Sequence, residues 1–362
     1  MVTRYPIIPI LPANEVAFRR GEVTIESLKD GRSLLIYANH CRQTVDGSGK
    51  TLKGDNAKAN MFSQILDEQG IPVGPERKVK DCPPQLMNIM SPALRRLPDG
   101  SLGLAYSWRE STTCAKRVFM KSVDEGETWS DPATIAEGGY VTGCHDRLLI
   151  TRSGRIIAPL HVTEDWNKHY LWVIAAYSDD MGESWKRSNA VELPAVYWPD
   201  GRNTTESGCL EPGVCELTDG RILMVLRTGL GSVFYSISED GGTHFPPPQN
   251  LEITAPCAPT FVMAVPGTDQ VMLIWNDEYR ADERLGGGRH RLSACVSGPE
   301  LSFPRERRIC LMEDRDHIID YPCATVRGEE VWLFFRIHET DQLGGSVSSY
   351  MMKFPLRDLI QT

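Results

Sequence analysis

The stretch Ser122-Val-Asp-Glu-Gly-Glu-Thr-Trp129 decides the fold, because it returns. Ser178-Asp-Asp-Met-Gly-Glu-Ser-Trp185 repeats its Ser-x-Asp-x-Gly-x-Thr/Ser-Trp form, and Ser238-Glu-Asp-Gly-Gly-Thr-His-Phe245 keeps the Ser, Asp, Gly and aromatic positions. A worn copy without the Asp runs from Ser297 to Phe303, and another lies at Leu66-Asp-Glu-Gln-Gly70. The starts at 122, 178, 238 and 297 are 56, 60 and 59 residues apart, so 362 residues hold six such units. Asp can accept hydrogen bonds from the amides of its own turn, Gly supplies positive φ, and the aromatic plugs the turn onto a sheet. The octapeptide reads as a hairpin lock, structural and remote from any chemistry.

A second repeat counts the units independently. Six times a turn rich in Gly or Asp leads into an apolar run of strand type: Asp30-Gly31, Asp99-Gly100, Ser153-Gly154, Asp219-Gly220, Gly267-Thr-Asp269 and Gly328-Glu329. Each turn follows another short strand-like run, and no stretch keeps a helical apolar period. Hairpins recurring at such intervals predict an all-β chain, a six-bladed β-propeller of four-stranded antiparallel sheets, forming one domain over residues 1–362.

Composition agrees and narrows the function classes. The chain is 41% hydrophobic and 24% charged, an ordinary globular balance, and 31 Gly with 24 Pro fit a turn-rich fold. A net charge of −9 argues against a nucleic-acid surface, which needs clustered Lys and Arg, but leaves room for a local cationic pocket. The start, Met1 to Asn14, has its apolar run broken by Pro6, Pro9 and Pro12, unlike a signal peptide, and no run reaches the ~18 residues that span a bilayer. Of ten cysteines the tightest pair is Cys209 and Cys215, so zinc ribbons and redox motifs are not expected. Reduced, buried thiols and a cytoplasmic location are expected instead, with no membrane partner, metal or cofactor.

In a propeller the innermost strand of each blade lines the channel. Candidate site residues therefore sit where that strand starts and where the next strand ends. The starts are Glu22, Ser91, His145-Asp146-Arg147, Glu211, Cys257 and Tyr321; the ends are Arg42, Arg109, His161, Arg227, Asn276-Asp277 and Arg336. A purely structural channel would be lined with Val, Ser and Gly, whereas this ring holds carboxylates, arginines and a tyrosine.

At these residues the sequence resembles a known family. The octapeptides are similar to the Asp-boxes of bacterial neuraminidases and sialidases, which are six-bladed propellers; Asp-boxes also occur in non-enzymatic propellers. Glu211-Pro-Gly-Val-Cys-Glu216-Leu-Thr-Asp-Gly220 followed by Arg227 resembles the sialidase segment that carries a base and a strand-ending arginine. The resemblance implies Glu211 as base partner and Arg227 as a grip on the substrate carboxylate. Asp320-Tyr321-Pro-Cys-Ala-Thr325 stands where the family opens its last blade, implying Tyr321 as nucleophile. Arg289-His-Arg-Leu292 leads into Ser297 as the family's third arginine leads into a box, and the spacing favours Arg289 over Arg291. The loop at Gly54-Asp55-Asn-Ala57 lies where the family carries its acid, implying Asp55, with Asp46 and Asp67 nearby.

The implied chemistry is coherent. The anomeric carbon of a sialic acid already bears a carboxylate, which repels an anionic nucleophile; a neutral Tyr deprotonated by Glu avoids the clash. Arginine forks hold a carboxylate bidentately and stay charged, and an acid opposite must protonate the leaving oxygen. The chain departs from the family where Phe18-Arg-Arg-Gly-Glu22-Val replaces an Arg-Ile-Pro motif: Arg19 or Arg20 would serve as first clamp arginine, and Glu22 puts a carboxylate where a cation is expected. His145-Asp146-Arg147 replaces small residues. The expectation is a divergent exo-acting glycoside hydrolase that releases a terminal sialic acid or related acidic sugar from a carbohydrate partner. Two alternatives stand: a glycosidase for arabinose, rhamnose or a uronate using paired carboxylates Glu22, Asp146 and Glu211, and a non-catalytic carbohydrate-binding propeller.

Overall fold

The computed structural model describes residues 1–42, 52, 54–164, 170–195, 207–280, 287–339 and 345–360. Nearly all regular structure is strand, and the one α-helix among these residues is the single turn Arg357–Ile360. The strands fall into six antiparallel meanders of four. The first is Ala17–Ser27, Ser33–Cys41, Ala59–Leu66 and Pro72–Lys80, and the second runs Asn88–Arg96, Leu102–Arg109, Ala115–Ser122 and Ala133–Ala136. The sixth takes its fourth strand from the other end of the chain: Ile7–Leu11 pairs with Val347–Pro355, Ile7 opposite Met352. The expected separate four-stranded sheets are not separate in hydrogen bonding. Short parallel bridges such as Val347 opposite Arg19 and Tyr170 opposite Ser207 fuse the meanders into sheets of 5, 13 and 8 strands. Each such bridge joins the third strand of one meander to the first strand of the next.

Four of the six turns between first and second strands, at Gly31, Gly100, Gly154 and Gly220, have one construction. Gly100 has φ 85° and donates its N–H to the Leu97 carbonyl, while Leu97 donates to Ser101; Gly220 has φ 91° and donates to Leu217, which donates to Arg221. A left-handed residue is required there, and Gly supplies it without a Cβ clash.

The boxes occupy one equivalent place, the end of the third strand. In the first, Ser122 Oγ donates to Asp124 at 2.8 Å and accepts the Gly126 N–H at 2.8 Å; Asp124 accepts the Thr128 N–H at 2.9 Å, and Trp129 Nε1 donates to the Gly126 carbonyl at 3.2 Å. Ser178 to Trp185 repeats every one of these bonds. Each box also presses on the preceding meander: a Cβ at Gly182 would lie 2.3 Å from Phe119, one at Gly126 2.6 Å from Leu34, and one at Gly242 3.0 Å from Ile157.

Apolar side chains cluster between neighbouring meanders. Leu34 and Ile36 of the first pack with Leu94, Leu104 and Val118 of the second. Ala105 and Phe119 pack with Ile156 and Leu160 of the third. Ile157 and Val173 pack with Met224 and Leu226 of the fourth, and Val225 and Leu223 with Leu273 and Trp275 of the fifth. The last cluster joins the fifth, sixth and first through Ile274, Phe334 and Leu35. First strands meet in the same cyclic order, the sixth returning to the first. Burial thus runs around a circle and leaves the axis to polar groups.

Candidate active site

Five of the six first strands break their ladder near the start; that of the fifth meander, Phe261–Ala264, does not. Glu22 (φ 58°), Ser91 (55°), Glu211 (42°) and Tyr321 (54°) are left-handed non-glycine residues, and the strand register shifts beside each of them. Asp146 (φ 53°) lies between Tyr140–Thr142 and Leu149–Ile150, which divide the first strand of the third meander. Such a bulge re-aims a side chain out of the pleat, at a cost of about 1–3 kcal/mol per strained residue. Pro92, Pro212 and Pro322 follow three of these positions, where an imino nitrogen has no N–H to lose. Four of the turned side chains, Glu22, Ser91, Glu211 and Tyr321, meet in one polar cluster at one end of the axis.

Tyr321 Oη donates to Glu211 Oε1 at 2.7 Å, although 110 residues separate them. The other Glu211 oxygen takes Arg227 Nη1 at 2.5 Å, and the Glu211 N–H donates to His161 Nδ1 at 3.3 Å. Burial would raise the Glu211 pKa, but Arg227 and the hydrogen bond from Tyr321 outweigh it and hold the carboxyl low. Burial and Glu211 push the Tyr321 phenol well above its usual value, so the pair rests as neutral phenol and carboxylate. His145 stacks on the Tyr321 ring at 5.5 Å between centroids and is buried neutral.

An alternating chain of charge runs beside this pair. Arg19 bridges Asp55 and Glu22. Glu22 also accepts the Ser91 N–H at 2.7 Å and its hydroxyl at 3.0 Å, and lies 3.6 Å from Arg336 Nη1. Arg336 Nε donates to Asp320 at 2.9 Å, and Asp320 takes Arg289 Nη1 at 2.8 Å. Glu22 is therefore an anchor for two arginines. Asp55 is exposed at the rim, its backbone carbonyl held by Arg109 and by Asn88 Nδ2 at 2.5 Å. Desolvation would raise the Asp55 pKa, but Arg19 and Arg109 outweigh it and keep the carboxyl below the usual carboxylate range.

Other residues expected here stand elsewhere. Arg20 turns into the first meander, where it pairs with Glu76 and donates to Tyr37 Oη at 3.1 Å, because it alternates to the opposite face from Arg19. The Asp146 carboxylate accepts Arg95 Nη1 and Thr24 Oγ1, both at 2.7 Å. It opens on a separate cavity of about 900 Å³ lined by later parts of the first strands, among them Ile25, Glu26, Val214 and Thr325. Arg147 is buried beneath the Tyr321 bulge, donating to the Pro322 carbonyl at 3.0 Å with its guanidinium 4.9 Å over the Phe261 ring. Asp67 accepts two amides of its own turn, from Gln69 at 3.0 Å and Ile71 at 2.8 Å. Asp46 lies outside the described residues.

Arg336, expected as a strand end, joins the cluster, and the structure adds Asp320. Their signal was positional: Arg336 opposes Asp320, the residue before Tyr321, as Arg227 opposes Leu210, the residue before Glu211. Arg117 adds a buried guanidinium without a carboxylate partner among the described residues; it donates to the Ser91 carbonyl at 2.7 Å, and burial lowers its pKa to about 10. No group of three or more potential metal-ligating side chains occurs among the described residues. None of their helices is long and apolar enough to cross a membrane.

Comparisons follow the fold. The structure is similar to a protein of unknown function from Dyadobacter fermentans, with a TM-score of 0.72 and 17% identity over 97% of this chain and 98% of that one. It is similar to the NanB sialidase of Streptococcus pneumoniae, with a TM-score of 0.72 and 13% identity over 98% of this chain and 71% of that one. It is also similar to the Trypanosoma rangeli sialidase solved as a covalent intermediate with 2,3-difluorosialic acid, with a TM-score of 0.68 and 13% identity over 99% of this chain and 59% of that one. No curated protein matches the sequence. Residues 74–335 match the BNR repeat-like domain, and on that match, with the box geometry beside it, the chain belongs to the BNR repeat-like family.

Proposed function

We propose that the six meanders are the blades of a six-bladed propeller, and that the chain is a retaining exo-glycosidase acting on a terminal acidic sugar. The observation that carries the reading is the 2.7 Å hydrogen bond from Tyr321 Oη to Glu211. Tyr321 Oη bonds the anomeric carbon while its proton passes to Glu211, and the bond to the leaving oxygen breaks; Asp55, exposed at the rim, protonates that oxygen only after taking up a proton from solvent, because Arg19 and Arg109 hold its carboxyl ionised. Water then attacks the anomeric carbon, giving up its proton to the Asp55 carboxylate, and Tyr321 leaves with the bonding pair and recovers its proton from Glu211. The charge balance supports an acidic sugar. Six buried guanidiniums, those of Arg19, Arg109, Arg117, Arg227, Arg289 and Arg336, gather around this end of the axis, against the carboxylates Glu22, Asp55, Glu211 and Asp320. In a chain of net charge −9 that local excess favours an anion. The paired-carboxylate alternative is weakened, since Asp146 faces the other cavity and Glu22 is committed to Ser91 and two arginines. Ten free thiols fit a reducing, cytoplasmic setting.

The test is a panel of fluorogenic glycosides covering sialic acid, glucuronate, arabinose and rhamnose, followed by trapping with the fluorinated form of whichever sugar is hydrolysed. Turnover of an acidic member and a glycosyl adduct on Tyr321 are expected. Hydrolysis of a neutral member alone would overturn the substrate, and an adduct on a carboxylate would overturn the nucleophile.

A further inference from the structure

Arg336 ends the second strand of the sixth meander, and its guanidinium carbon lies 3.8 Å from the centroid of the Tyr321 ring, the tightest such contact among the described residues. The edge of this guanidinium is already used, by Asp320 at 2.9 Å and by Glu22 at 3.6 Å. Both carboxylates are buried and fixed in turn: Asp320 by Arg289 at 2.8 Å with His338 at 3.2 Å, Glu22 by Arg19 and Ser91. The edge holds the group in place and the face meets the ring. A cation over an aromatic face is attracted by the ring's negative quadrupole, and more strongly once the phenol acquires phenolate charge.

We propose that Arg336 is a positioning residue for Tyr321, stabilising phenolate character on the ring as its proton moves to and from Glu211, and is not part of the grip on substrate. This rests on the reading of Tyr321 as nucleophile. The groups facing the ring are Glu211, Arg227 behind it, Arg289 at 5.9 Å, Arg19, Cys144 and the neutral His145. Among them burial and Glu211 raise the phenol's pKa, while Arg227 and Arg336 oppose the rise. In the second half of the reaction the tyrosine oxygen leaves with the electron pair of its bond to the anomeric carbon and regains a proton from Glu211. Loss of Arg336 slows that departure and lets the glycosyl-tyrosine accumulate.

The experiment places 3,5-difluorotyrosine at position 321, which brings the phenol's titration into reach, and follows it by fluorine NMR. In Arg336→Gln the midpoint moves up by about one pH unit; Arg336→Lys, which keeps the charge without the planar face, moves it less. An unchanged midpoint in folded Arg336→Gln overturns the proposal. Should that variant not fold, Arg336→Lys decides alone, an upward shift supporting the proposal and none overturning it. On the hydrolysed glycoside, Arg336→Gln lowers kcat at least about tenfold without raising KM, and intact-mass analysis shows adduct build-up. A raised KM with unchanged kcat makes Arg336 part of the clamp and overturns the proposal. If the wild-type chain hydrolyses no glycoside, the glycosidase reading fails while the fluorine titration still decides Arg336.

Discussion

Tyr321 and Glu211 divide one task between two strained residues, so their substitutions should fail differently. Tyr321→Phe keeps the ring and removes the nucleophilic oxygen; kcat/KM on an acidic aryl glycoside should fall more than about a thousandfold. Glu211→Gln keeps the hydrogen bond but not the base and should cost about 10²- to 10⁴-fold. Arg227→Ala removes a charge-assisted contact of about 1.5–3 kcal/mol and should cost roughly 10- to 150-fold. Steady-state kinetics of the three variants checks this, and intact hydrolysis in Arg227→Ala would remove the carboxylate clamp. The pH profile follows from Glu211. The base must be ionised, Arg227 holds its pKa low, and activity is lost only as pH falls through that lowered value. The acid limb of kcat/KM should therefore lie below the ordinary glutamate value of about 4.3. Asp55, which must take up a proton against Arg19 and Arg109 before it can serve a leaving oxygen, gives a further contrast: Asp55→Asn should slow substrates with poor leaving groups and spare activated aryl glycosides.

At the scale of elements, the same meander carries chemistry at one end and a lock at the other. Register puts Arg109 opposite both Asn88 and Ala115, and Leu102 opposite both Arg96 and Ser122, so the boxes lie at the end of the meander away from Tyr321. The Asp180 carboxylate binds the Ser178 hydroxyl, the Ser184 amide and the Ser184 hydroxyl, which holds its pKa at about 2. Asp180→Ala should lower stability, read as a lower thermal midpoint, with kcat unchanged. A change in kcat without loss of stability would contradict the structural role. The bulges were visible in the sequence only as Ser91-Pro92, Glu211-Pro212 and Tyr321-Pro322. Their left-handed φ is set by the pairing partner and could not be read from the dipeptide.

For the whole molecule, closure of the circle by Ile7–Leu11 against Val347–Pro355 ties the two ends of the chain, with Leu11 fully buried. Polar groups fill the axis, among them neutral buried His40, His145 and His161, the last with its pKa pushed down to about 4 by burial against the pull of Glu211. The unfolded chain protonates histidine near pH 6.5 and the fold does not, so their contribution is complete above that pH and is lost as pH falls toward 4. His161 alone accounts for on the order of 3 kcal/mol. Asp320 and Glu211, held low, lose their contributions at still lower pH. Denaturant unfolding between pH 7 and 4 should show a steady fall in stability, and His161→Gln should flatten it.

The sequence by itself determined the unit count, the hairpin positions and the members Glu211, Arg227, Arg289 and Tyr321 of the polar cluster. These follow from local rules: turn chemistry repeats where the backbone repeats, and a strand start or end is a place in a unit. Only tertiary structure decided which way each side chain turned. Arg19 and Arg20 are neighbours in sequence, yet one joins Asp55 and Glu22 and the other Glu76, because alternation along a strand sends adjacent residues to opposite faces. Asp146 and Tyr321 occupy equivalent bulges, yet Asp146 pairs with Arg95 beside the other cavity. Arg336 rests on Tyr321 through packing between two strands and through Asp320, a relation between side chains that no spacing in the chain encodes.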